Sequence, residues 1–176
     1  MFLDRWLKPR PAKLAGAKLY ASAVVQARMA AFYRDFGVRD SMEGRFELFS
    51  LHVIFLIERL KGQGEAAAET SQAVFDAYVK GLDDAFREIG VSDTSVGKKM
   101  KKLAGAFYGR LKAYDDAIAN LPDTAATLEF LGRTALEERG EGDAAALTAY
   151  VIRAREALAS QSLGALLQGD VTWPNP

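Results

Sequence analysis

A single histidine, His52, is the side chain in this sequence that would titrate near neutral pH. It lies within an apolar stretch, residues 46–60. The sequence offers neither a second histidine for a metal pair nor a serine and an aspartate spaced to activate it. A catalytic or ligand role is one interpretation. The other, which we favour, is a hydrogen-bonded histidine in the protein core.

Aspartate pairs stand at positions 83–84 and 115–116. A helical enzyme that holds magnesium needs further acids one turn away, but Arg87 and Asn120 occupy those positions. Cysteine is absent, which excludes a thiolate zinc site, a cysteine nucleophile and a disulfide framework. No glycine-rich phosphate loop follows a strand-like segment. We therefore predict no catalytic residue, no metal and no cofactor, and we expect the protein not to be an enzyme.

The densest charged stretch is a lysine cluster near the start of a predicted helix. A solvated surface would account for it, and so would contact with an acidic protein surface, anionic lipid headgroups or ribosomal RNA. Aromatic residues are not interleaved with the lysines, which disfavours specific RNA recognition, and we predict no DNA partner. The lysine cluster consists of Lys98, Lys99, Lys101 and Lys102, and it is extended by Arg110 and Lys112.

The sequence that leads into the lysine cluster repeats an earlier stretch. Residues 33–45 and 86–98 share the pattern aromatic-Arg-acid-apolar-Gly-Val-x-Asp-hydroxyl-x-x-Gly-basic. In each, glycine ends one helix, valine packs into the joint and aspartate starts the next helix, with Thr94 as an alternative to Asp93 in the second. The pattern predicts two similar helical corners. The first corner is defined by Gly37, Val38, Asp40 and Gly44, and the second corner by Gly90, Val91, Asp93 and Gly97.

The last two positions of the repeat are unusual for a helix N-terminus. Glycine within a helix costs up to about 1 kcal/mol relative to alanine. We therefore expect Gly44 and Gly97 to lie where another backbone or a ligand approaches closely. Arg45 and Lys98 place positive charge against the helix dipole. We expect a nearby acid to compensate that charge, either within the fold, from a residue such as Asp35, Asp40 or Glu88, or on a partner.

Helical spacing of apolar residues predicts an all-α fold, a single-domain bundle of about six to seven helices. The predicted helices cover residues 13–36, 41–61, 65–89, 94–120, 124–139 and 143–160. We expect residues 1–12 to form a flexible basic and apolar segment, residues 13–168 the helical domain, and residues 169–176 a tail. The apolar stretch at residues 46–60 is too short to span a bilayer. Nothing in the sequence is typical of a secretory signal, so we expect a cytoplasmic protein.

Taken together, these residues resemble the ubiquinol–cytochrome c chaperone family. The first signature is Gly-Val-Arg-Asp-Ser-Met-Glu-Gly-Arg-Phe-Glu at residues 37–47, followed by Leu-His-Val at residues 51–53 and Arg-Leu at residues 59–60. The second begins with Gly-Val-Ser-Asp at residue 90, continues with Val-Gly-Lys-Lys-Met-Lys-Lys from residue 96, and ends in Phe-Tyr-Gly-Arg at residue 110. The family has threonine more often where this sequence has Ser41, which keeps the hydroxyl.

The resemblance implies a non-enzymatic assembly chaperone of the bacterial form. Family members bind newly made cytochrome b and help it enter ubiquinol–cytochrome c reductase, so cytochrome b is the expected partner. Contact with the ribosome or with the inner face of the cytoplasmic membrane is a further expectation. The alternatives are a lipophilic-ligand carrier or helical enzyme, and a general membrane-peripheral or ribosome-binding module.

Side chains of two kinds are expected to bind the partner. Basic residues would contact its charged loops, and aromatic residues near the corners would contact its apolar segments. Core packing is the alternative for the aromatic residues. The residues predicted to bind the partner are Arg45, Phe46, Lys98, Lys99, Lys101, Lys102, Phe107, Tyr108 and Arg110.

Overall fold

A computed structural model describes residues 11–136 and 141–176, apart from the side chains of residues 93–94 and 141–143. In these residues the chain forms eight helices and no strand, which confirms the predicted all-α fold. Two of the eight are short, with 5 and 6 residues. Most of the predicted N-terminal segment lies outside the described residues. The helices are α1 Pro11–Ala27, α2 Ala30–Arg34, α3 Met42–Leu60, α4 Glu65–Glu88, α5 Asp93–Ile118, α6 Ala125–Thr134, α7 Glu141–Ser160 and α8 Leu163–Gln168.

Helix α3 forms the centre of the bundle. Residues 50–56 are buried in succession, so the helix is covered on all sides rather than on one stripe. Helices α1, α4, α5 and α7 pack around it. The apolar stretch identified in the sequence is therefore a core helix. No helix among the described residues combines the length and the apolar character that crossing a bilayer requires.

Helix α1 packs on α4 mainly through small residues. Its apolar residues Leu14 and Val25 are 51 % and 71 % exposed. Apart from Leu19 and Gln26, the buried residues are alanine and glycine. A Cβ on Gly16 would lie 2.5 Å from the Cβ of Ala73 in α4, so the two helices cross with almost no side chain between them. A search for large apolar residues misses such a face.

The predicted helix over residues 13–36 is broken in the structure. Helix α1 ends at Ala27, and Met29 has extended backbone angles (φ −60°, ψ 130°) before α2 begins. No glycine or proline marks the break. The Tyr33 hydroxyl donates to the freed carbonyl of Ala27 at 2.9 Å. Below the break Phe32 packs edge-on against Tyr150 of α7, with ring centroids 4.8 Å apart, so tertiary packing overrides local helix propensity here.

The tail after α8 returns to α1 and completes the core. Gly169 takes a left-handed conformation (φ 86°) that ends α8 and redirects the chain. The indole N–H of Trp173 then donates to Ser22 Oγ at 3.0 Å, and Gln26 Nε2 donates to the carbonyl of Pro174 at 2.9 Å. The tail thus ties the C-terminal helices to the first helix.

Candidate partner-binding site

The first corner closes as the sequence predicts at its glycine and valine. Gly37 has φ 77°, in the left-handed region that favours glycine. Val38 is buried, and its N–H donates to the carbonyl of Phe32 at 3.0 Å. The predicted cap was one residue off, because Ser41 and not Asp40 is the N-cap of α3. The Ser41 hydroxyl accepts the N–H of Gly44 at 3.1 Å.

The predicted compensation of the arginine charge is confirmed within the fold. Asp40 accepts a hydrogen bond from Nε of Arg45 at 2.7 Å, across the turn that Ser41 caps. This hydrogen bond lowers the pKa of the Asp40 carboxyl. Arg45 therefore has an acidic partner of its own, although both side chains remain exposed.

The close approach expected at Gly44 is also present. A Cβ at this position would lie 2.1 Å from the carbonyl oxygen of Arg39, which no side chain can tolerate. The chain folds back over the first turn of α3 at this point, and only the absence of a side chain leaves room for it. The glycine is thus explained by the approach of the protein's own backbone.

The second corner has the same glycine–valine turn as the first corner, but the helix that follows it begins differently. Gly90 has φ 81°, and the N–H of Val91 donates to the carbonyl of Phe86 at 3.0 Å. Ser92 takes the N-cap position because α5 already begins at Asp93, the residue predicted to cap it. A Cβ on Gly97 would meet no atom of the described chain within 4 Å. The close approach expected at Gly97 is therefore not made within the described fold.

An apolar groove lies between the two corners, where the first turns of α3 face the last turns of α4. Its volume is about 320 Å³. Two of its lining side chains, Met42 and Ile89, are 59 % and 58 % exposed, which is unusual for large apolar residues. The apolar groove is lined by Met42, Phe46 and Phe49 of α3, Leu82, Ala85 and Phe86 of α4, Ile89 of the second corner and Leu103 of α5, with Glu43, Arg45 and Glu47 at its polar edge.

The lysine cluster borders the apolar groove. The ammonium group of Lys99 lies 5.3 Å from the ring centroid of Phe86, a cation–π contact with a groove-lining residue. All four lysine side chains are exposed. Within the described part of the chain, none of the four forms an ion pair. The aspartates of the neighbouring turns are already paired, Asp83 with Arg87 and Asp84 with Lys80.

The structure separates the residues predicted to bind the partner. Phe46 lines the apolar groove, and Tyr108 is 57 % exposed on α5. Phe107 is fully buried, with its ring centroid 5.0 Å from that of Tyr78, so it packs in the core, which is the alternative given above for the aromatic residues. Arg110 binds Glu47 through two hydrogen bonds of 2.8 Å each, so its charge serves the fold.

Most residues that line the apolar groove were not among those predicted from the sequence to bind the partner. Met42, Phe46 and Phe49 are spaced i, i+4, i+7 on α3, and Leu82, Phe86 and Ile89 have the same spacing on α4. This spacing places three side chains on one face of a helix. It does not tell whether another helix of the same chain covers that face. The repeated corners were the available signal, because both walls begin or end there.

His52 is a hydrogen-bonded core residue, as favoured from the sequence. It is fully buried, and its Nδ1 lies 2.8 Å from the carbonyl of Leu48, which can only accept, so Nδ1 carries the proton. Its Nε2 then accepts from the Tyr150 hydroxyl at 2.8 Å, and Gln26 donates to that hydroxyl at 3.1 Å. Burial lowers the pKa of His52 to about 4, so the ring is neutral near pH 7.

Comparison with known proteins decides the family. The model of a family described as ubiquinol-cytochrome C chaperone matches residues 34–173, which include both corners and the whole apolar groove. The chain belongs to this family. A crystal structure of the Cbp3 homolog from Brucella abortus has the same fold. It is 34 % identical in sequence, with a TM-score of 0.85 and coverage of 99 % of this chain and 97 % of that one.

Two curated relatives are longer proteins that this chain matches over about half of their length. The chain is similar to ubiquinol-cytochrome c reductase complex assembly factor 1 from Mus musculus, with 24 % identity over 164 residues, 92 % of this chain and 55 % of that protein. The protein of the same name from Homo sapiens is also 24 % identical and is covered over 54 % of its length. The chain therefore spans about half the length of the curated relatives it matches.

The internal role of Arg110 predicts a measurable contrast in this family member. Replacing Arg110 by Gln leaves the half-buried Glu47 carboxylate without its bidentate partner, and we expect the free energy of unfolding to fall by about 1–2 kcal/mol. Replacing Lys102 by Gln removes an exposed charge on the same helix and should change it by less than about 0.5 kcal/mol. Urea unfolding of both variants at pH 7 measures the contrast. Equal stabilities would show that the Glu47 contact contributes nothing.

Proposed function

We propose that the protein is a non-enzymatic chaperone for the assembly of ubiquinol–cytochrome c reductase, and that it binds newly made cytochrome b. The observation that carries the proposal is the family match over residues 34–173. The relatives named as reductase complex assembly factors support a role in assembly of the reductase. In this proposal the protein works on the cytoplasmic side, with contact to the membrane surface or the ribosome while its client is made.

The apolar groove is the part of the molecule suited to this task. A membrane protein that has not yet been inserted exposes apolar segments that aggregate unless another protein covers them. The exposed Met42 and Ile89, with Phe46 between α3 and α4, offer apolar surface for such a segment. The lysine cluster beside the groove adds charge that would orient the client. Nothing in this arrangement requires a reaction, because holding the client is sufficient.

Deletion of the gene tests the proposed function. We expect the levels of cytochrome b and of assembled reductase to fall severalfold in membranes of the deletion strain, measured by haem spectra and by native gels. Normal levels of both would contradict the assembly function. Re-expression of the wild-type chain should restore both.

Complementation with paired variants tests the apolar groove. The double variant Met42→Asn and Ile89→Asn makes two exposed groove residues polar, and we expect it to restore less than about a third of the reductase. The matched control is Leu14→Asn with Val25→Asn, which removes similarly exposed apolar surface from α1. The control should restore the wild-type level, and both variants should unfold at nearly the wild-type temperature. Full rescue by the groove variant would show that the client binds elsewhere.

A further inference from the structure

We propose that the apolar groove binds one amphipathic helix of a partner protein, and that this helix carries acidic side chains along the edge that faces α5. The inference rests on the proposed function for the location of the site, and it adds the chemistry of the segment that the site recognises. Its basis is the shape of the groove walls together with the charge on one side of them.

The walls of the apolar groove have the spacing that a helix requires. Met42, Phe46 and Phe49 form one wall at i, i+4, i+7, and the three apolar residues Leu82, Phe86 and Ile89 form the other at the same spacing. Seven residues of a helix extend about 10 Å, so the walls match about two turns of a bound helix. A groove of about 320 Å³ holds a few apolar side chains, and the backbone of the bound helix would remain outside it.

The charge around the apolar groove is one-sided. On the α5 side, Lys99 lies on the ring of Phe86, and the other three lysines of the cluster follow on the exposed face of α5. The carboxylates of Asp83 and Asp84 on α4 are already bound by Arg87 and Lys80. On the opposite side Arg45 is paired with Asp40. Lys99 thus places a positive charge at this edge without an ion-pair partner among the described residues, and the other three lysines add exposed positive charge to the same helix. Acidic side chains on the bound helix would complement this charge.

Two other occupants fit the charge less well. A second copy of this chain bound symmetrically through the groove would bring two lysine clusters together, because a twofold interface pairs each patch with itself. The segment before α1 is also basic, since Arg5, Lys8 and Arg10 outnumber Asp4. An anionic phospholipid combines apolar and acidic groups, as the proposed helix does. The competition experiment described below distinguishes the two.

Two synthetic peptides test the inference directly. Each has 18 residues with leucines at helical i, i+4, i+7 spacing; one carries glutamates along one edge and its twin carries lysines at the same positions. We expect the full-length protein to bind the acidic peptide about tenfold more tightly than its twin at low salt, measured by fluorescence anisotropy. The variant with Lys98, Lys99, Lys101 and Lys102 all replaced by Glu should reverse that order. It should remain folded, because all four side chains are exposed and surface substitutions of this kind change stability little.

The remaining outcomes separate this inference from the proposed function. Met42→Asn with Ile89→Asn should weaken both peptides. Equal binding of the twins would contradict the proposal that the bound helix is acidic. Displacement of the acidic peptide by phosphatidylglycerol vesicles, but not by phosphatidylcholine vesicles, would show that the groove binds an anionic lipid instead of a helix. If reductase assembly still depends on the gene in that case, the proposed function stands without the acidic helix. If the peptides discriminate as expected but the deletion strain assembles reductase normally, the groove binds such helices for another purpose.

Discussion

Lowering the pH from 6.5 to 4 is expected to remove about 3 kcal/mol from the free energy of unfolding through His52 alone. Burial lowers the pKa of this histidine from 6.5 to about 4 in the folded protein. Between these two values the unfolded chain binds a proton that the folded chain does not. The free energy of unfolding therefore rises with pH across that window and is no longer affected by His52 above about pH 6.5.

The hydrogen bonds around His52 explain why the folded state resists the proton. The ring donates from Nδ1 to the carbonyl of Leu48 and accepts the Tyr150 hydroxyl proton at Nε2. A proton on Nε2 would replace that acceptor with a donor, and the Tyr150 hydroxyl would have to turn away from it. Edge contacts with Phe32 and Trp173 leave the added charge in an apolar surrounding.

Urea unfolding at pH 6.5, 5.5 and 4.5 measures the effect of His52. The chain has one histidine, so the slope between pH 6.5 and 5 reports mainly this residue. The control is His52→Gln, whose stability should be lower at pH 7 but much less dependent on pH in this range. Should that variant not fold, the NMR titration of the wild-type ring gives the same information. A ring that titrates near 6.5 in the folded protein would contradict the prediction.

Replacing Gly44 by Ala is expected to lower the free energy of unfolding by about 2–3 kcal/mol. The new Cβ would lie 2.1 Å from the carbonyl oxygen of Arg39, which belongs to the backbone and cannot rotate away as a side chain would. Relief of this overlap requires the first corner to move away from α3. The buried Val38 and the hydrogen bond from Gly44 to the Ser41 cap would then be disturbed as well.

The repeat in the sequence supplies a matched control for Gly44→Ala. Gly97 occupies the same position in the second corner, but a Cβ there meets no described atom within 4 Å. Gly97→Ala should therefore raise the free energy of unfolding by about 0.5–1 kcal/mol, the helix propensity of alanine over glycine. Thermal and urea unfolding of the two variants in parallel measure the difference. Similar effects at both positions would mean that the two corners do not differ in packing as described.

The sequence was sufficient to predict the fold class because glycine and proline mark the ends of several helices. Left-handed glycines at positions 37 and 90 end helices where the repeat predicts them, and the break near Pro122 separates α5 from α6. It was insufficient where tertiary contacts decide. The break after Ala27 follows no local signal and depends on Phe32 reaching the core. The cap at Ser41 differs from the predicted Asp40 because Asp40 binds Arg45 instead.

The candidate site was predictable only in part for a similar reason. Composition identifies basic and aromatic residues but does not show which of them already have partners in the fold. Phe107 and Arg110 look like interface residues in the sequence. In the structure Phe107 packs against Tyr78 and Arg110 donates hydrogen bonds to Glu47. Ile89 has the helical spacing of a core residue, yet it is 58 % exposed in the structure. Such distinctions depend on residues far away in the sequence.

The tail that returns to α1 has a consequence for how the protein acquires its structure during synthesis. The Gln26 amide and the Pro174 carbonyl that it binds are 148 residues apart, and Trp173 covers the ring of His52 from the same tail. Contacts of this sequence separation slow folding because a long loop must close before they form. A nascent chain cannot make them until residue 174 has left the ribosome. The central helix therefore acquires this covering only after residue 174 has emerged, and shorter nascent chains would present His52 and Phe55 uncovered on that side.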